Sequence, residues 1–385
     1  MTAHAAPAPV GGRLVTKTTV VLAGMMLAMG AVLVLRLVYG LGAVTNLNNG
    51  YPWGLWIAWD VTIGTALAGG GFSTALLVYV LNRGQYHPLI RPALLAALLG
   101  YLQAGLSVFV DLGRWWDFWH IFWPTYAQPS SVLFEVALCI MAYIVILMIE
   151  LLPAVLERLH WQNARKRLDR VLFVFVAIGV LLPTMHQSSL GTLLVVFGPQ
   201  VHPLYQSNLL PLLFLTSTVG MGYAAVTIEA AISSVGLERP FEKEILAKLL
   251  AIGRGLMGLF LFVRLCDVVY RGALSHTYTP SLPMFTFWLE NALLSVPLWL
   301  LASKKNAQRA KYLFLSAMAM ALGGIVYRLS AFLVAYQTGA GWSYFPSLGE
   351  LTVTTGLIAF EVLGVIVAVR LLPILPAAPE RTLTP

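Results

Sequence analysis

Charged residues are scarce in this chain of 385 residues. Asp, Glu, Lys and Arg together make up 10% of it, whereas hydrophobic residues make up 59%. Because a soluble domain carries about 25% charged residues, the composition excludes an ordinary soluble protein and indicates an integral membrane protein surrounded by lipid. The net charge of +8 is explained by basic cytoplasmic loops, and we expect no nucleic acid among the partners.

Cysteine and deeply placed histidine are also scarce. The two cysteines, Cys139 and Cys266, lie in apolar segments and form no CxxC motif, which argues against iron–sulfur clusters, zinc ribbons and other metal sites in this chain. Of the seven histidines, His186 alone lies deep in an apolar segment. A haem held between helices needs two facing histidine ligands, so the sequence predicts no haem.

Long apolar runs fill almost the whole chain. About 20 apolar residues cross the hydrocarbon core of a bilayer, and ten segments reach that length. They are residues 18–43, 53–82, 90–113, 131–156, 170–198, 207–235, 246–271, 283–302, 311–336 and 349–372. The first run is too long for a signal peptide, so we expect a retained first span and an all-α protein with ten transmembrane helices.

Most of the 24 Lys and Arg residues fall on one side of these segments, in both termini and in alternate loops. Basic loops stay in the cytoplasm, so we expect both termini to be cytoplasmic. The opposite loops are nearly uncharged and rich in aromatic residues, among them Trp53 and Trp56. They predict an interfacial aromatic belt, a mouth that admits an amphipathic ring compound, or a docking face for an extracytoplasmic partner.

Spans 3 and 4 resemble spans 7 and 8. Asp111 and Arg114 in span 3 correspond to Arg264 and Asp267 in span 7, and each pair shares one helix face. The repeat predicts two parallel four-helix bundles, spans 2–5 and 6–9, flanked by spans 1 and 10. The corresponding divisions are residues 1–17, 18–52, 53–198, 199–337 and 338–385. For both acid–base pairs the simplest expectation is a mutual ion pair.

Ionisable side chains within the spans are the strongest functional signal, because each costs about 2.5–3.5 kcal/mol at mid-bilayer on insertion scales. We expect Asp60, Glu135 and His186 to lie at similar depths towards the outer side. Glu135 is expected to be buried and able to exchange a proton. His186 follows Pro183 and is either a site residue or a hydrogen-bonded structural residue.

Other polar residues have simpler interpretations. Glu229, Glu150 and Arg254 lie towards the cytoplasmic ends of their spans and predict the inner end of a proton path, or else paired interfacial charges. Gly64 lies on the face of Asp60, where small residues permit close helix packing or leave room for a ring. Glu350 is expected to complete a capping box with Ser347.

Five stretches carry a family resemblance. They are Asn49-Gly-Tyr-Pro-Trp-Gly-Leu-Trp-Ile-Ala-Trp-Asp60, Asn82-Arg-Gly-Gln-Tyr-His-Pro-Leu89, Ser131-Val-Leu-Phe-Glu135, Leu182-Pro-Thr-Met-His-Gln-Ser-Ser-Leu-Gly191 and Arg370-Leu-Leu-Pro-Ile-Leu-Pro376. Together they resemble the polysulfide reductase membrane subunit (NrfD-like) family, and within it the ten-helix subunits of periplasmic, menaquinone-linked [NiFe]-hydrogenases.

The resemblance implies a quinone-reactive subunit in a bacterial inner membrane. It implies menaquinone or ubiquinone as the bound substrate, with electrons from an extracytoplasmic ferredoxin-like iron–sulfur subunit that is fed by the small and large [NiFe]-hydrogenase subunits. Glu135, Asp60 and His186 would surround the quinone, and Glu229 would lie on a proton route from the cytoplasm. The further quinone-binding candidates are Trp53, Trp56, Asp111, Arg114 and Gly64.

The residues alone leave other functions open. Ten spans, a repeat and intramembrane acids also fit a proton-coupled secondary transporter. A second alternative keeps the family but changes the electron donor to a polysulfide, sulfite-reduction-associated or other respiratory enzyme. A purely structural anchor would leave the buried acids unexplained.

Overall fold

The computed structural model describes residues 6–237, 239, 241–339 and 341–377, and this part of the chain is helical without a β-sheet. Ten long helices follow one another: α1 (Lys17–Tyr39), α2 (Trp56–Val80), α3 (Ile90–Asp111), α4 (Val132–Arg158), α5 (Leu172–Val196), α6 (Leu210–Gly236), α7 (Lys243–Tyr270), α8 (Leu282–Leu300), α9 (Ala310–Leu329) and α10 (Leu348–Leu371). Arg381, one of the basic residues that indicate a cytoplasmic C-terminus, lies outside the described residues.

The ten predicted segments all coincide with long helices. Nine of these helices in the described chain are long and apolar enough to cross a membrane, which makes the chain an integral membrane protein. The tenth, α8, has 19 residues, and the polar pair Glu290-Asn291 lowers its mean hydropathy. The sequence-based count of ten spans therefore stays a prediction.

Helix ends follow the local chemistry that the sequence carries. Thr16 caps the start of α1, and Gly40 ends that helix with φ 87°, a value that glycine adopts without strain. Ser347 and Glu350 form the predicted capping box at the start of α10. Glu350 also accepts a hydrogen bond from the backbone of Asn46 at 3.0 Å, so this cap joins the loop after α1 to the start of α10.

Helix α2 lies at the centre of the packing. It contacts α3, α5, α6, α9 and α10, while α1 packs chiefly on α10. Two stretches of α2, Trp56–Gly64 and Leu76–Val80, have π-helical hydrogen bonding. Such stretches are uncommon and occur frequently at functional sites.

Glycine lets α2 approach its neighbours closely. A Cβ atom on Gly70 would lie 2.8 Å from Val226 Cγ2, and one on Gly71 would lie 2.6 Å from Ala97 Cβ. These glycines therefore serve close packing and leave no room for a ring. Gly64 differs, because a Cβ atom there would lie 3.8 Å from Trp59 O and 3.9 Å from Gln103 Nε2, which are ordinary van der Waals distances.

We predict that Gly222→Ala lowers the free energy of unfolding by about 1–3 kcal/mol, as overpacking generally does. The new Cβ would collide with the backbone of Gly69 and Gly70, which cannot move like a flexible side chain. Thermal unfolding in detergent measures the effect. Gly255→Ala on α7, where no atom lies within 4 Å of the new Cβ, is the matched control, and equal unfolding midpoints for the two variants would contradict the packing argument.

Candidate functional site

Asp60 is the most completely enclosed carboxyl group of the predicted site. It lies in the first π-helical stretch of α2 and is fully buried. Gln103 Nε2 and Ser107 Oγ of α3 donate hydrogen bonds to it at 2.8 and 2.9 Å, and Thr354 Oγ1 of α10 donates at 3.4 Å. No described cation forms an ion pair with Asp60. Neutral donors from two helices thus hold a carboxyl group in the protein interior.

His186 belongs to α5 and is fully buried beside α2. Its Nε2 atom shares a hydrogen bond of 3.2 Å with Thr65 Oγ1, and Gln187 Nε2 donates to the same hydroxyl at 2.9 Å. Its Nδ1 atom has no hydrogen-bond partner among the described residues. The Tyr101 ring lies 5.7 Å from the imidazole. Tyr101 and Gln103 both belong to α3, so the His186 and Asp60 groups each contact this helix.

Arg328 anchors the same group from α9. Its fully buried guanidinium donates to Thr62 O at 2.8 Å, Phe214 O at 2.8 Å and Thr218 Oγ1 at 2.6 Å. Thr218 donates in turn to Gln187 Oε1 at 2.8 Å. A continuous set of hydrogen bonds therefore runs from Arg328 to the neighbours of His186.

The expectation that Glu135 is buried is wrong. Glu135 is partly exposed in the first turn of α4, and its carboxyl group makes no hydrogen bond or ion pair with the described residues. Leu138, expected to face inwards, is 42% exposed, whereas Cys139 is buried. The start of α4 is accessible from the side because helix packing covers only part of its surface. Glu135 still lies close to the histidine, since the backbone of Val136 approaches the His186 ring.

Trp53 and Trp56 do not form an exposed belt or an open mouth. Both are buried, and their indole N–H groups donate to Phe332 O at 2.8 Å and Glu350 O at 3.2 Å. The N-terminal end of α2 is thereby fixed to α9 and α10. The loop after α3 instead carries a group of exposed aromatic residues: Trp116, Phe118, Trp119, Phe122, Trp123 and Tyr126.

The expected ion pair between Asp111 and Arg114 does not form. Arg114 is exposed, because α3 ends at Asp111 and the helical spacing does not continue to residue 114. Arg36 of α1 instead donates to Val110 O at 2.6 Å and to Leu112 O. The nearby charge of Arg36 interacts with Asp111, whose Oδ1 atom has no hydrogen-bond partner among the described residues.

The expected ion pair between Arg264 and Asp267 does not form either. Arg264 forms a buried ion pair with Glu290 of α8, and Asp267 pairs with Arg271 at 2.8 Å. Neighbouring helices present better-placed partners than the residue three positions away. Four aromatic rings lie within 6.0 Å of the Arg264 guanidinium and add cation–π contacts; they belong to Tyr205, Phe260, Phe287 and Tyr327.

The three residues of the predicted proton path do not lie together. Glu150 is buried against Gly179 of α5, and its Oε1 atom has no hydrogen-bond partner among the described residues. Arg254 donates to Leu301 O at 2.5 Å at the end of α8. Glu229 is partly exposed on α6 and interacts electrostatically with Glu361 of α10.

Two surface cavities lie away from these groups. One, of about 400 Å³, is lined by residues of the α5–α6 and α7–α8 loops, including Arg271 and His276. The other, of about 470 Å³, is lined by the loop after α4, including His160 and Trp161. Neither cavity contains Asp60, Glu135 or His186. Access to these residues from the partly exposed side of α4 therefore fits better than access through either cavity.

Comparison with known proteins assigns the family. The family model described as "Polysulphide reductase, NrfD" matches residues 43–340. The "Probable Ni/Fe-hydrogenase 2 b-type cytochrome subunit" of Escherichia coli K12 is 43% identical over 96% of this chain and 95% of its own length. The chain belongs to the NrfD family.

More distant similarity connects this NrfD chain to quinone-linked proteins. The "Menaquinone reductase, integral membrane subunit" of Nitratidesulfovibrio vulgaris Hildenborough is 36% identical over 41% of the chain and 39% of its own length. The "Hdr-like menaquinol oxidoreductase integral membrane subunit" of Archaeoglobus fulgidus is 25% identical over 86% of the chain and 87% of its own length.

The prediction of no haem is contradicted by these comparisons. The E. coli relative is named a b-type cytochrome subunit, a name that denotes haem. The histidine count considered only two imidazole ligands on facing helices, whereas haem iron in proteins also accepts Cys, Met or Tyr. A count of one residue type therefore could not exclude haem.

The described histidines of this NrfD chain do not fit a haem held between two imidazoles. His186 faces Thr65 and Tyr101, with no second imidazole in contact. His202 and His276 lie with ring centroids 5.3 Å apart and edge to face, which leaves no width for a porphyrin. Burial and the neighbouring His276 imidazole lower the pKa of His202.

Sequence reasoning missed several residues of the site. Gln103 and Ser107 bind Asp60, and Thr65 and Arg328 organise the surroundings of His186. Arg328 carried a readable signal, since an arginine in an apolar segment needs partners inside the protein. The others are ordinary polar residues whose role depends on which helix lies opposite.

We predict that Glu290→Gln lowers the free energy of unfolding by about 3–5 kcal/mol, because it leaves the buried Arg264 without a counter-charge. Chemical unfolding in detergent measures the loss. The double variant Arg264→Met/Glu290→Met should recover much of it, since both charges are removed together.

The matched control is Asp169→Asn, which breaks the more exposed pair with Arg165 at 3.9 Å and should cost about 0–1 kcal/mol. A Glu290→Gln variant as stable as this control would show that the buried pair does not hold α7 and α8 together.

Proposed function

We propose that this chain is the quinone-reactive membrane subunit of a respiratory [NiFe]-hydrogenase complex. It passes electrons between an extracytoplasmic ferredoxin-like iron–sulfur subunit and menaquinone or ubiquinone. The observation that carries the proposal is the 43% identity to the Ni/Fe-hydrogenase 2 subunit, which extends over nearly the whole length of both chains. The enclosed polar group around Asp60 and His186 supplies the chemistry that this reaction needs.

Quinone reduction takes up two electrons and two protons. The electrons come from the partner subunit, and the protons must reach the ring oxygens through protein groups. Glu135, partly exposed at the start of α4, is placed to exchange a proton with a quinone that approaches from the lipid. His186 Nδ1 forms no hydrogen bond of regular geometry with the described residues, although the Val136 backbone approaches the ring. Asp60 is the deeper proton acceptor or donor.

The remaining quinone-binding candidates have different tasks in this proposal. Gly64 is loosely packed beside Gln103, the partner of Asp60. Trp53 and Trp56 hold the outer end of α2 through their indole hydrogen bonds. Asp111 and Arg114 lie at the outer rim of α3, where the substrate headgroup or the partner subunit would pass. Glu229 and Glu150 supply protons from the cytoplasmic side, with Arg254 at the cytoplasmic end of α7.

We infer ten spans, with both termini in the cytoplasm of a bacterium and the chain in its inner membrane. The distribution of Lys and Arg supports this orientation. Packing supports two four-helix bundles, since α2–α5 contact one another in sequence and α6 contacts both α7 and α9. The first bundle, residues 53–198, carries the quinone site. Residues 199–337 form the second bundle, and residues 1–17, 18–52 and 338–385 form the flanking parts.

A second candidate function keeps the family and changes the electron donor. It is favoured by the similarity to the menaquinone reductase and Hdr-like menaquinol oxidoreductase subunits, whose names mention no hydrogenase. Purification of the complex in mild detergent distinguishes the donors. We expect a nickel–iron enzyme and an iron–sulfur protein to copurify, whereas a respiratory oxidoreductase without nickel in their place would favour the alternative.

We predict that Glu135→Gln lowers hydrogen-dependent quinone reduction by about 10²-fold or more, the range expected for loss of a positioned proton donor. The complex should still assemble, because the Glu135 carboxyl group makes no hydrogen bond or ion pair with the described residues. Turnover with a soluble quinone analogue measures the rate, and gel filtration measures assembly.

Glu244→Gln is the matched control, since Glu244 is an exposed glutamate in the first turn of α7. It should leave turnover unchanged. Wild-type turnover in Glu135→Gln would remove this residue from the proton chemistry.

A further inference from the structure

A row of buried polar atoms without hydrogen-bond partners among the described residues runs along the first half of the protein. It comprises Glu150 Oε1, Tyr143 Oη, Tyr101 Oη and His186 Nδ1. The two tyrosines and the histidine are fully buried, and Glu150 is 8% exposed. A buried polar atom left unsatisfied costs about 1–3 kcal/mol, so four neighbouring ones in a folded protein require an explanation such as bound water.

The four groups follow one another in space. Glu150 and Tyr143 lie seven residues apart on α4, which is two helical turns or about 10 Å along the axis. The rings of Tyr143 and Tyr101 have centroids 4.6 Å apart, and those of Tyr101 and His186 have centroids 5.7 Å apart. The row therefore begins towards the cytoplasmic end of α4 and ends at His186 in the candidate site.

Helix α5 borders a second side of this row of polar atoms. Gly179 lies against the Glu150 carboxyl group, which a Cβ at this position would displace, and His186 follows two turns later on the same face. Pro183 lies between them and has no N–H, so the Gly179 carbonyl lacks its usual helical donor. One more polar group without its regular partner thus borders the row.

Helix α2 borders a third side of the same row of polar atoms. A Cβ on Gly71 would lie 3.6 Å from Tyr143 Oη, and Thr74 follows one turn later. The Thr74 hydroxyl is fully buried and also lacks a hydrogen-bond partner among the described residues. The Thr74 hydroxyl therefore offers water an additional hydrogen-bond partner near the Tyr143 hydroxyl.

We propose that Glu150, Tyr143 and Tyr101 line a file of internal water that delivers protons from the cytoplasmic side to His186. The inference rests on the proposed quinone reaction and places one proton route to His186 in the first half of the protein, separate from Glu229. Glu150 takes up a proton at the inner end. Glu150 then releases that proton to the first water. Each water or tyrosine hydroxyl accepts one proton and releases another and so keeps its charge. Nδ1 of His186 receives the proton, and the imidazolium formed returns to neutral imidazole by giving one proton to the quinone.

Arg254 takes no part in this route, because it is bound to Leu301 O in the second half. Glu229 on α6 is likewise outside the row. Of the three residues that the sequence predicts for a proton path, the route keeps only Glu150. It adds Tyr143 and Tyr101, which relay protons and do not contact the quinone.

The water file itself is tested by hydroxyl-radical footprinting of the purified full complex, in which X-ray radiolysis of bound water oxidises adjacent side chains. We expect oxidation of Tyr143 and Tyr101 despite their burial. Tyr205 is the matched control, because it is equally buried and its hydroxyl is bound to Glu290 at 3.0 Å and Thr286 at 3.1 Å. If Tyr143 and Tyr101 stay as unmodified as Tyr205, the file does not exist.

Its role in proton delivery is tested with Tyr101→Phe and Tyr143→Phe. Each should lower kcat for quinone reduction about 10-fold or more, leave KM for the quinone analogue unchanged and increase the solvent deuterium isotope effect. Tyr327→Phe is the matched control, since it removes an equally buried hydroxyl in the second half that also lacks a hydrogen-bond partner among the described residues. It should leave all three quantities unchanged.

Wild-type kcat in the Tyr101→Phe/Tyr143→Phe double variant would overturn the route. An equal loss in Tyr327→Phe would also overturn it, because the effect would then not be specific to the row. Failure of the quinone reaction itself is a separate result: the wild-type complex would not reduce quinone, while footprinting would still decide whether the water file is present.

Discussion

The buried guanidinium of Arg328 holds the centre of the molecule together. It donates to the Thr62 carbonyl of α2, the Phe214 carbonyl of α6 and the Thr218 hydroxyl, and it belongs to α9 itself. No described carboxylate forms an ion pair with Arg328, so these neutral oxygens replace water around its charged guanidinium. Because a charge without such partners is very unfavourable in hydrocarbon, α2 cannot separate from α6 and α9 without a large cost in free energy.

This constraint reaches the candidate site through hydrogen bonds. Thr218 binds Gln187, Gln187 binds Thr65, and Thr65 binds His186. The imidazole is therefore held by a network whose other end is a fixed positive charge. Networks of this kind orient their members strongly, because each lost bond would leave a buried polar group unsatisfied.

The two halves of the protein treat their buried charges differently. In the second half, Glu290 is neutralised by Arg264 and Asp267 by Arg271. In the first half, the buried Asp60 and Glu150 and the partly exposed Glu135 form no ion pair with the described residues. A carboxyl group without a cationic partner can change its protonation state more readily than one in an ion pair. This contrast supports our proposal of a proton route in the first half, whereas the paired acids of the second half stabilise helix packing.

The sequence by itself determined that this is an all-helical integral membrane protein, because apolar length and composition decide whether a segment can lie in hydrocarbon. The resemblance to the NrfD family was carried by five motifs in order along the chain. It also determined local features such as the Ser347–Glu350 capping box. The candidate residues Asp60 and His186 were readable because a polar group in an apolar segment stands out. Glu135 was identified in the same way, although its partial exposure was not.

Only the tertiary structure decided which groups are partners. Helical spacing shows that Arg264 and Asp267 share a face, yet each pairs elsewhere, since spacing along one helix says nothing about what the neighbouring helix presents. The same reason explains why Gln103 and Thr354 were not foreseen around Asp60, and why Tyr143 and Tyr101 resemble ordinary core residues in the sequence. Their hydroxyls became noticeable once the packing of α2, α4 and α5 placed them between Glu150 and His186 without hydrogen-bond partners among the described residues.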